Sequence, residues 1–153
     1  MNFEELKLKN QICHRIYSVN NGIQRLYRPI LSELGLTYVQ YVILMALWEK
    51  DHVSMGELAS LTKLDKGFLT TTIEKMKQDS LVKLVADKLD QRKKIVLLTK
   101  KGISLKHRAR CIPSEVLNLL YSNDIKISKK DIETFINVLD KMNLLISESQ
   151  IKK

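Results

Sequence analysis

The order of patterns between residues 54 and 98 limits the possible folds more than any other feature of the chain. Ser54, with Glu57 three residues later, has the form of a capping box and predicts a short helix. A polar turn follows, and Asp65 then stands at the N-cap position of a second helix. The positions spaced to face inward on this second helix are Leu69, Ile73 and Met76. Two short helices joined by a tight turn form a helix-turn-helix.

Two β-rich runs come directly after the second of these helices. They cover 81–85 and 94–98, and the mostly charged segment 86–93 separates them. This arrangement is typical of a β-hairpin, here with a mobile basic tip. A two-stranded ribbon directly after a helix-turn-helix is a wing. The chain is therefore predicted to be mainly α with a small β-hairpin, and to fold as a winged helix-turn-helix over residues 37–100.

A long apolar stripe precedes this predicted lobe. Apolar residues recur every three or four positions from Leu8 to Ile30, which predicts a first helix that ends near Pro29. A semi-polar, aromatic stripe runs beside the apolar one and indicates a helix that is covered from two sides. Thr37 is then expected to cap a second helix that is apolar nearly all round, and hence buried.

The last predicted helix is opened by Ser128 and carries an apolar stripe with no evident partner in so small a chain. Its members are Ile132, Phe135, Ile136, Leu139, Met142, Leu145 and Ile146. A second copy of the chain would cover such a stripe. We therefore expect a single unit over residues 1–153, in which segments 1–36 and 101–153 are the N- and C-terminal dimerisation helices of a homodimer.

Positive charge is concentrated in one part of the chain. The formal net charge is +9, and the segment from Lys83 to Arg110 alone has ten Lys or Arg against two Asp, a net +8. A solvated basic face is one interpretation of such a segment, and a footprint for a polyanion is the other. The wing predicted inside this segment favours the polyanion, double-stranded DNA. A winged helix that binds a protein partner remains the alternative.

Several classes of function find no support in the composition. No stretch approaches the run of about 18 apolar residues that spans a bilayer, so we expect a cytoplasmic protein without a membrane partner. Cys13 and Cys111 have neither a disulfide framework nor metal-ligand spacing. His14, His52 and His107 have no catalytic partners in the sequence. The prediction is no enzyme, no metal and no other cofactor.

The second helix of the helix-turn-helix is expected to enter the major groove with its N-terminal end. The residues placed nearest to base edges and phosphates are Lys66, Gly67, Phe68, Thr70 and Thr71, with Lys75 and Lys77 further along. β-Branched threonines are poor helix formers, so the hydroxyl groups of Thr70, Thr71 and Thr72 are expected to face DNA.

The wing tip is expected to reach the adjacent minor groove. Arg92 is the residue predicted to enter it, because a narrow A·T-rich groove concentrates negative potential. Asp90 would orient the Arg92 guanidinium by a charge-assisted hydrogen bond, and Lys93 and Lys94 would add charge at the tip.

Short motifs spread over the whole chain match those of a known family. They are Gln11-Ile12-Cys13, Tyr17, Leu26-Tyr27-Arg28-Pro29, Leu36-Thr37-Tyr38-Val39-Gln40-Tyr41, Leu47-Trp48-Glu49, Leu64-Asp65-Lys66-Gly67-Phe68-Leu69-Thr70, Asp90-Gln91-Arg92 and Leu98-Thr99. These motifs resemble the MarR-type regulators, and most closely the OhrR-type branch, which senses organic hydroperoxides. The resemblance implies a transcriptional repressor that binds a pseudo-palindromic operator as a homodimer.

The resemblance also implies a redox sensor. Cys13 matches the sensing cysteine, Tyr27 and Tyr38 match tyrosines that approach it from the opposite subunit, and Tyr17 matches a tyrosine nearby. An organic hydroperoxide, or a small thiol after it, is then the partner of Cys13. From the residues alone, Cys13 lies in mid-helix without help from a helix N-terminus, and inert packing is an open alternative. Cys111 does not clearly match a second redox cysteine.

A MarR-type regulator released by a small aromatic ligand is the other open alternative. The cleft that would hold such a ligand lies between the dimer interface and the DNA-binding lobe. Its candidate lining residues are Tyr17, Tyr27, Tyr38, Tyr41 and Trp48.

Overall fold

The structure is a computed structural model that describes residues 3–87, 89–121 and 127–151. Lys88 of the predicted wing tip and the outermost parts of the predicted dimerisation segments, 1–2 and 152–153, lie outside the described residues, as does 122–126. The chain divides into two compact units, one up to Val116 and one from Leu117 onward. Within the described ranges, no helix has both the length and the apolar character needed to cross a bilayer.

Seven α-helices and three short strands are described. Two 3-10 turns precede them, at Glu4–Leu6 and Leu8–Asn10. The elements are α1 (Ile12–Ser32), α2 (Tyr38–Glu49), β1 (Val53–Ser54), α3 (Met55–Thr62), α4 (Lys66–Gln78), β2 (Val82–Ala86), β3 (Lys94–Leu98), α5 (Lys100–Ala109), α6 (Ile112–Tyr121) and α7 (Lys129–Ile151). The mainly helical, winged architecture predicted from the sequence is confirmed.

The core of the first unit is formed by α2, α3, α4 and the sheet. Its fully buried side chains include Ile43, Leu44, Leu47, Leu58, Leu69, Ile73, Met76 and Val96. The three positions predicted to face inward on α4 are all among them, so the helical spacing correctly identified the buried face. Burying each of these side chains stabilises the fold by about 1.5 to 3 kcal/mol before the entropy of ordering is counted.

Polar side chains cap the first turns of α2, α3 and α4. Thr37 forms a full capping box with Gln40, in which Gln40 N donates to Thr37 Oγ1 (3.3 Å) and Thr37 N donates to Gln40 Oε1 (2.9 Å). Asp65 caps α4 as predicted. Ser54 Oγ accepts from Glu57 N (3.1 Å), but the Glu57 carboxylate pairs with Lys50 Nζ (2.6 Å) instead of closing the predicted box. Only half of that capping box is therefore formed.

The sheet has one strand more than the predicted hairpin. β2 and β3 pair antiparallel, with Val82 opposite Leu98 and Ala86 opposite Lys94. β1 adds to the other edge of β3, with Val53 opposite Val96, so the strand order is β1-β3-β2. The extra strand joins the wing to the start of α3, because Ser54 both ends β1 and caps that helix.

The bounds of α1 differ from the prediction at both ends. The helix begins at Ile12, since the apolar stripe before it belongs to the two 3-10 turns, and it continues through Pro29 to Ser32. Leu31 is fully buried, and this packing outweighs the hydrogen bond that Pro29 cannot donate. Gly35 then turns the chain with φ +67°, a conformation that favours glycine, and Leu36 N donates back to Leu31 O (3.0 Å).

The second unit contains α7, which Ser128 opens as predicted. Ser128 Oγ accepts from Asp131 N (3.1 Å), and the Asp131 carboxylate accepts from Ser128 N (3.0 Å). The Ser128 hydroxyl group also donates to this carboxylate (2.6 Å), and this bond, followed by the bond from Ser128 N, lowers the pKa of Asp131 below its ordinary value. The helix leaves Phe135, Ile136 and Leu145 at least half exposed in the single chain.

Candidate DNA interface and sensor site

The exposed face of α4 carries all of the predicted major-groove residues. Lys66, Gly67, Phe68, Thr70, Thr71, Lys75 and Lys77 are exposed. Asp65 Oδ1 accepts from Gly67 N (2.8 Å) and Phe68 N (3.2 Å), so the cap holds the first turn in a fixed position. The partial positive charge of this helix end also favours an approaching phosphate.

The threonine hydroxyl groups of α4 make hydrogen bonds within their own helix. Thr70, Thr71 and Thr72 donate to the carbonyl groups of Lys66 (2.8 Å), Gly67 (3.2 Å) and Phe68 (2.8 Å), four residues earlier in the same helix. Such internal bonds satisfy hydroxyl groups in a helix interior. The side chains therefore present a hydroxyl oxygen as an acceptor and a methyl group, and the expectation that they face DNA stays a prediction.

Two aspartates make hydrogen bonds to described residues of the wing tip. Asp87 Oδ1 accepts from Leu89 N (2.8 Å) and Asp90 N (3.0 Å), and these backbone bonds lower the pKa of Asp87. Asp90 Oδ1 accepts from the backbone N–H of Arg92 (3.1 Å), and Asp90 Oδ2 lies 3.8 Å from Lys93 Nζ. The predicted Asp90–guanidinium bond is thus replaced by a backbone bond, because an Asx-type turn brings the N–H within closer reach.

The wing and α4 face a common cavity of about 400 Å³. Arg92, Lys93 and Lys94 line it from the wing, and Thr70 and Glu74 line it from α4. The predicted reading helix and the predicted basic tip therefore border one space. Glu74 was not predicted as part of this site, although its position three residues before Lys77 indicates an ion pair on a helix. Its carboxylate lies 3.3 Å from Lys77 Nζ, so one predicted contact lysine already has a partner.

Hydrogen bonds join the base of the wing to the residues at the end of α2, and these bonds were also not predicted from the sequence. Asp51 Oδ1 accepts from Leu98 N in β3 (2.9 Å) and from His52 N (2.8 Å). Trp48 Nε1 donates to Gly102 O in α5 (2.9 Å), and Lys106 Nζ donates to Trp48 O (2.9 Å). We call Trp48, Asp51 and their partners the α2 anchor. It makes the position of the wing depend on the position of α2.

Replacing Asp51 by Ala should loosen the wing base. The Leu98 amide would lose its acceptor, and we expect the free energy of unfolding to fall by about 1 to 3 kcal/mol. Hydrogen exchange of the Leu98 amide measures the effect directly, and it should become faster in Asp51→Ala. Asp90→Ala, which alters only the tip, is the control and should leave that amide protected. Equal protection of Leu98 in the wild type and Asp51→Ala would rule out the anchor.

Cys13 is the second residue of α1 and is exposed, so its predicted mid-helix position is corrected. Gln11, at the N-cap, makes no side-chain hydrogen bond to the first turn. Cys13 therefore lies at the helix N-terminus, where the backbone amide groups carry partial positive charge. Tyr17 lies one turn further along and is 64% exposed. His14 and Arg15 add basic groups beside the thiol.

The other two predicted sensor tyrosines lie together, away from Cys13. The rings of Tyr27 and Tyr38 are 5.1 Å apart in an edge-on arrangement, and Tyr41 lies 6.0 Å from Tyr27. Burial, and then the neighbouring Tyr38, raises the pKa of Tyr27, so its phenol stays protonated as a donor. Along α1, positions 13 and 27 are separated by about 21 Å of helix axis. One chain therefore does not bring its own Cys13 to its own Tyr27.

The second cysteine occupies a different setting. Cys111 is exposed directly before α6, and its carbonyl accepts from Glu115 N (3.0 Å) and Ser114 Oγ (2.8 Å). These bonds give Cys111 a role in beginning α6. Among the described residues, no group of three or more His, Cys, Asp or Glu side chains is placed to hold a metal ion.

Comparison with known proteins gives consistent matches. The family model described as transcriptional regulator SarA/Rot matches residues 25–109. The organic hydroperoxide resistance transcriptional regulator of Bacillus subtilis (strain 168) is 32% identical over 143 residues, which are 92% of this chain and 97% of that protein. The solved structure of reduced AbfR bound to DNA is 25% identical, with a TM-score of 0.76, and the match covers 95% of this chain and 99% of that chain.

A further solved structure shows the same fold. BpsR of Bordetella bronchiseptica, whose DNA binding is regulated by 6-hydroxynicotinic acid, has a TM-score of 0.79 at 20% identity, covering 90% of this chain and 96% of that chain. The full-length match to the Bacillus regulator and the family model over more than half of the chain agree with the observed winged fold. The predicted family is therefore confirmed: the chain belongs to the MarR family of winged-helix transcriptional regulators.

Proposed function

We propose that this regulator is a homodimeric DNA-binding repressor, and that oxidation of Cys13 by an organic hydroperoxide lowers its affinity for a pseudo-palindromic operator. The observation that carries the proposal is the separation of the sensor residues. An exposed thiol lies in the first turn of α1, whereas Tyr27 lies about 21 Å further along α1 and packs against Tyr38 at the start of α2. A second copy of the chain can supply the pair to the thiol.

Exposed apolar surface supports the dimer. Ile12 and Val19 of α1 are 58% and 52% exposed in the single chain, and Phe135 and Leu145 of α7 are 51% and 67% exposed. Such surface on both terminal segments is what a second copy would cover. The resemblance to the Bacillus regulator extends over the same segments, since the match spans 92% of the chain.

The DNA contacts follow from the exposed groups on α4 and the wing. In the dimer, two α4 helices about 34 Å apart would enter successive major grooves. Lys66 and Lys75 would contact phosphates, and Thr70 and Thr71 would lie near base edges. Gly67 lets the helix backbone approach the duplex. Lys77 would add positive charge near DNA, although it is paired with Glu74. Arg92 would enter the minor groove beside Lys93 and Lys94, while Asp90 holds the backbone of the tip.

The chemistry at Cys13 needs only the hydroperoxide. The thiolate sulfur attacks the terminal peroxide oxygen, a sulfur–oxygen bond forms, and the oxygen–oxygen bond breaks. The sulfur is oxidised, and the departing alkoxide takes up a proton and leaves as the alcohol. Tyr17 of the same chain, with Tyr27 and Tyr38 of the other copy, would donate hydrogen bonds to the thiolate before the reaction and to the sulfenate oxygen after it.

The α2 anchor offers a route from this site to DNA. Tyr38 is the first residue of α2, Trp48 lies in its last turn and Asp51 lies two residues beyond its end, and the latter two are bonded to α5 and the wing. A displacement of Tyr38 would therefore reach the wing through one helix. A change of one or two kcal/mol in the preference for the DNA-competent state weakens binding about 5- to 30-fold.

A mobility shift with DNA from upstream of the chain's own gene tests the proposal. Wild type is expected to bind that DNA and to lose about 5- to 30-fold in affinity after treatment with cumene hydroperoxide. Cys13→Ser should bind equally well and keep its affinity, because serine is not oxidised by the peroxide. Cys111→Ser is the matched control and should respond like the wild type.

Two results would contradict this function. A Cys13→Ser protein that still responds to the hydroperoxide would remove Cys13 as the sensor. A wild type that binds the promoter fragment no better than random competitor DNA would remove the repressor function itself.

A second candidate function, release by a small aromatic ligand, is favoured by one cavity of about 410 Å³. Tyr41, Met45 and Trp48 line it with apolar and aromatic surface, while Lys106, His107 and Arg110 line it with basic groups. This lining suits an aromatic carboxylate. Titration of Cys13→Ser with such acids separates the two functions, since release from DNA in that variant would require a ligand and no thiol chemistry.

A further inference from the structure

Phe68 is an unusual residue for the exposed first turn of a helix. Its side chain is 52% exposed, whereas the inward positions of α4 are taken by the fully buried Leu69, Ile73 and Met76. Within the described part of the chain, its ring also makes no contact with another aromatic ring. The core therefore does not account for this phenyl group, and leaving so much apolar surface in water is unfavourable.

The surroundings of Phe68 favour a nucleic acid over a protein partner. Its own backbone N–H is fixed by Asp65 Oδ1 (3.2 Å), and the neighbouring Gly67 carries no side chain that would shield it. Helical periodicity places Thr71 and Lys75 on the same side of α4, and Lys66 is exposed in the same turn. A phenyl ring exposed among lysines at a capped helix N-terminus is suited to a polyanion that also offers an apolar group.

The major groove offers one such group at its base edges, the 5-methyl group of thymine. The other groups there are hydrogen-bond donors and acceptors, and a phenyl ring placed against them removes their water without replacing it. We propose that Phe68 contacts a thymine methyl group, and that it thereby selects a T·A pair at one symmetric position of each operator half-site. The inference rests on the proposed DNA-binding function and adds the base that this residue selects.

A comparison of thymine and uracil isolates the methyl group. Full-length wild-type protein would first select duplexes from a randomised library, and each thymine of the selected site would then be replaced by deoxyuridine in both half-sites. At one symmetric position the replacement should weaken binding about 4-fold per half-site, hence about 16-fold for the dimer. Uracil keeps every hydrogen-bonding group of thymine, so no other contact changes.

The Phe68 variants show whether this residue detects the methyl group. Phe68→Ala should bind the thymine and deoxyuridine duplexes equally, while Phe68→Leu should retain part of the preference. Lys75→Ala is the control for general loss of affinity, and it should weaken binding to both duplexes by the same factor. Thermal unfolding of Phe68→Ala should match that of the wild type, because the side chain is exposed.

Each outcome has a defined meaning. If wild type selects a site but no deoxyuridine replacement weakens binding, or if Phe68→Ala keeps the preference for thymine, the inference is overturned and the repressor function stands. If wild type selects no sequence from the library, the inference and the proposed function both fail.

Discussion

Replacing Gly102 by Ala is expected to destabilise the protein by about 3 kcal/mol, a large part of the stability of a domain of this size. A Cβ atom at this position would lie 2.2 Å from the carbonyl oxygen of Leu81 and 3.1 Å from Leu98 Cδ2. The carbonyl is backbone, and it is held in place because it accepts from Thr99 N (3.1 Å). The clash therefore moves the junction between the wing and α5 rather than a flexible side chain.

Urea unfolding measures this effect, and Gly56 provides the control. No atom lies within 4 Å of a Cβ built at Gly56, which is also in the first turn of a helix. Gly56→Ala is expected to be neutral or to stabilise the protein by up to about 1 kcal/mol, since alanine loses less backbone entropy in a helix. A Gly102→Ala protein as stable as Gly56→Ala would show that the wing and α5 are not packed as described.

Removing the wing-tip charges should produce the largest loss of DNA affinity. The triple replacement of Arg92, Lys93 and Lys94 by Ala is expected to weaken binding by about 100-fold at physiological salt, because each dimer loses six cations near DNA. Lys93 and Lys94 of each wing are expected to neutralise phosphates beside the minor groove, so the slope of log affinity against log salt should also fall by about 4. Titration of an operator duplex at several salt concentrations gives both quantities.

A charge-matched triple variant separates a specific interface from general electrostatic attraction. Lys129, Lys130 and Lys141 are exposed on α7 and are not among the residues proposed to contact DNA. Their replacement by Ala removes the same charge and should change the affinity less than about 3-fold and the slope by less than 1. Equal losses in the two triple variants would mean that the wing has no special position on DNA.

Local patterns predicted those parts of the fold that depend on neighbouring residues. Thr37 and Asp65 were identified as caps because a cap and its partners are three residues apart. The buried face of α4 was identified because helical spacing repeats over several turns. The interrupted box at Ser54 was missed because Glu57 instead pairs with Lys50, a residue outside the motif.

Contacts between distant residues were not predictable in this way. β1 has two residues, too few for a period, and it exists because Val53 pairs with Val96. The bond from Asp51 to Leu98 joins segments that share no motif. α1 continues past Pro29 because Leu31 is buried, which is a property of the packed chain.

The candidate site was predicted in its composition more than in its geometry. The basic residues of the wing and α4 were predicted from their charge alone. The structure shows in addition that Arg92 and Thr70 line one cavity. The direction of the Thr70 hydroxyl group and the backbone partner of Asp90 depend on local conformation. The first-turn position of Cys13 followed only from the start of α1 at Ile12.

Mixed dimers test most directly whether the sensor is shared between two copies. One chain carries Cys13→Ser, and the other carries Tyr27→Phe together with Tyr38→Phe. In a dimer of one of each, the remaining Cys13 meets intact tyrosines from its partner. Trapping of sulfenic acid with dimedone, followed by mass spectrometry, measures how fast Cys13 is oxidised by cumene hydroperoxide.

The double tyrosine variant alone should react about 10-fold more slowly than the wild type, because its thiolate lacks two hydrogen-bond donors. After it is mixed and re-equilibrated with an equal amount of Cys13→Ser chains, about half of the Cys13 should regain the wild-type rate, as random pairing requires. A mixture in which no Cys13 reacts faster than in the double variant alone would contradict a sensor built from two chains.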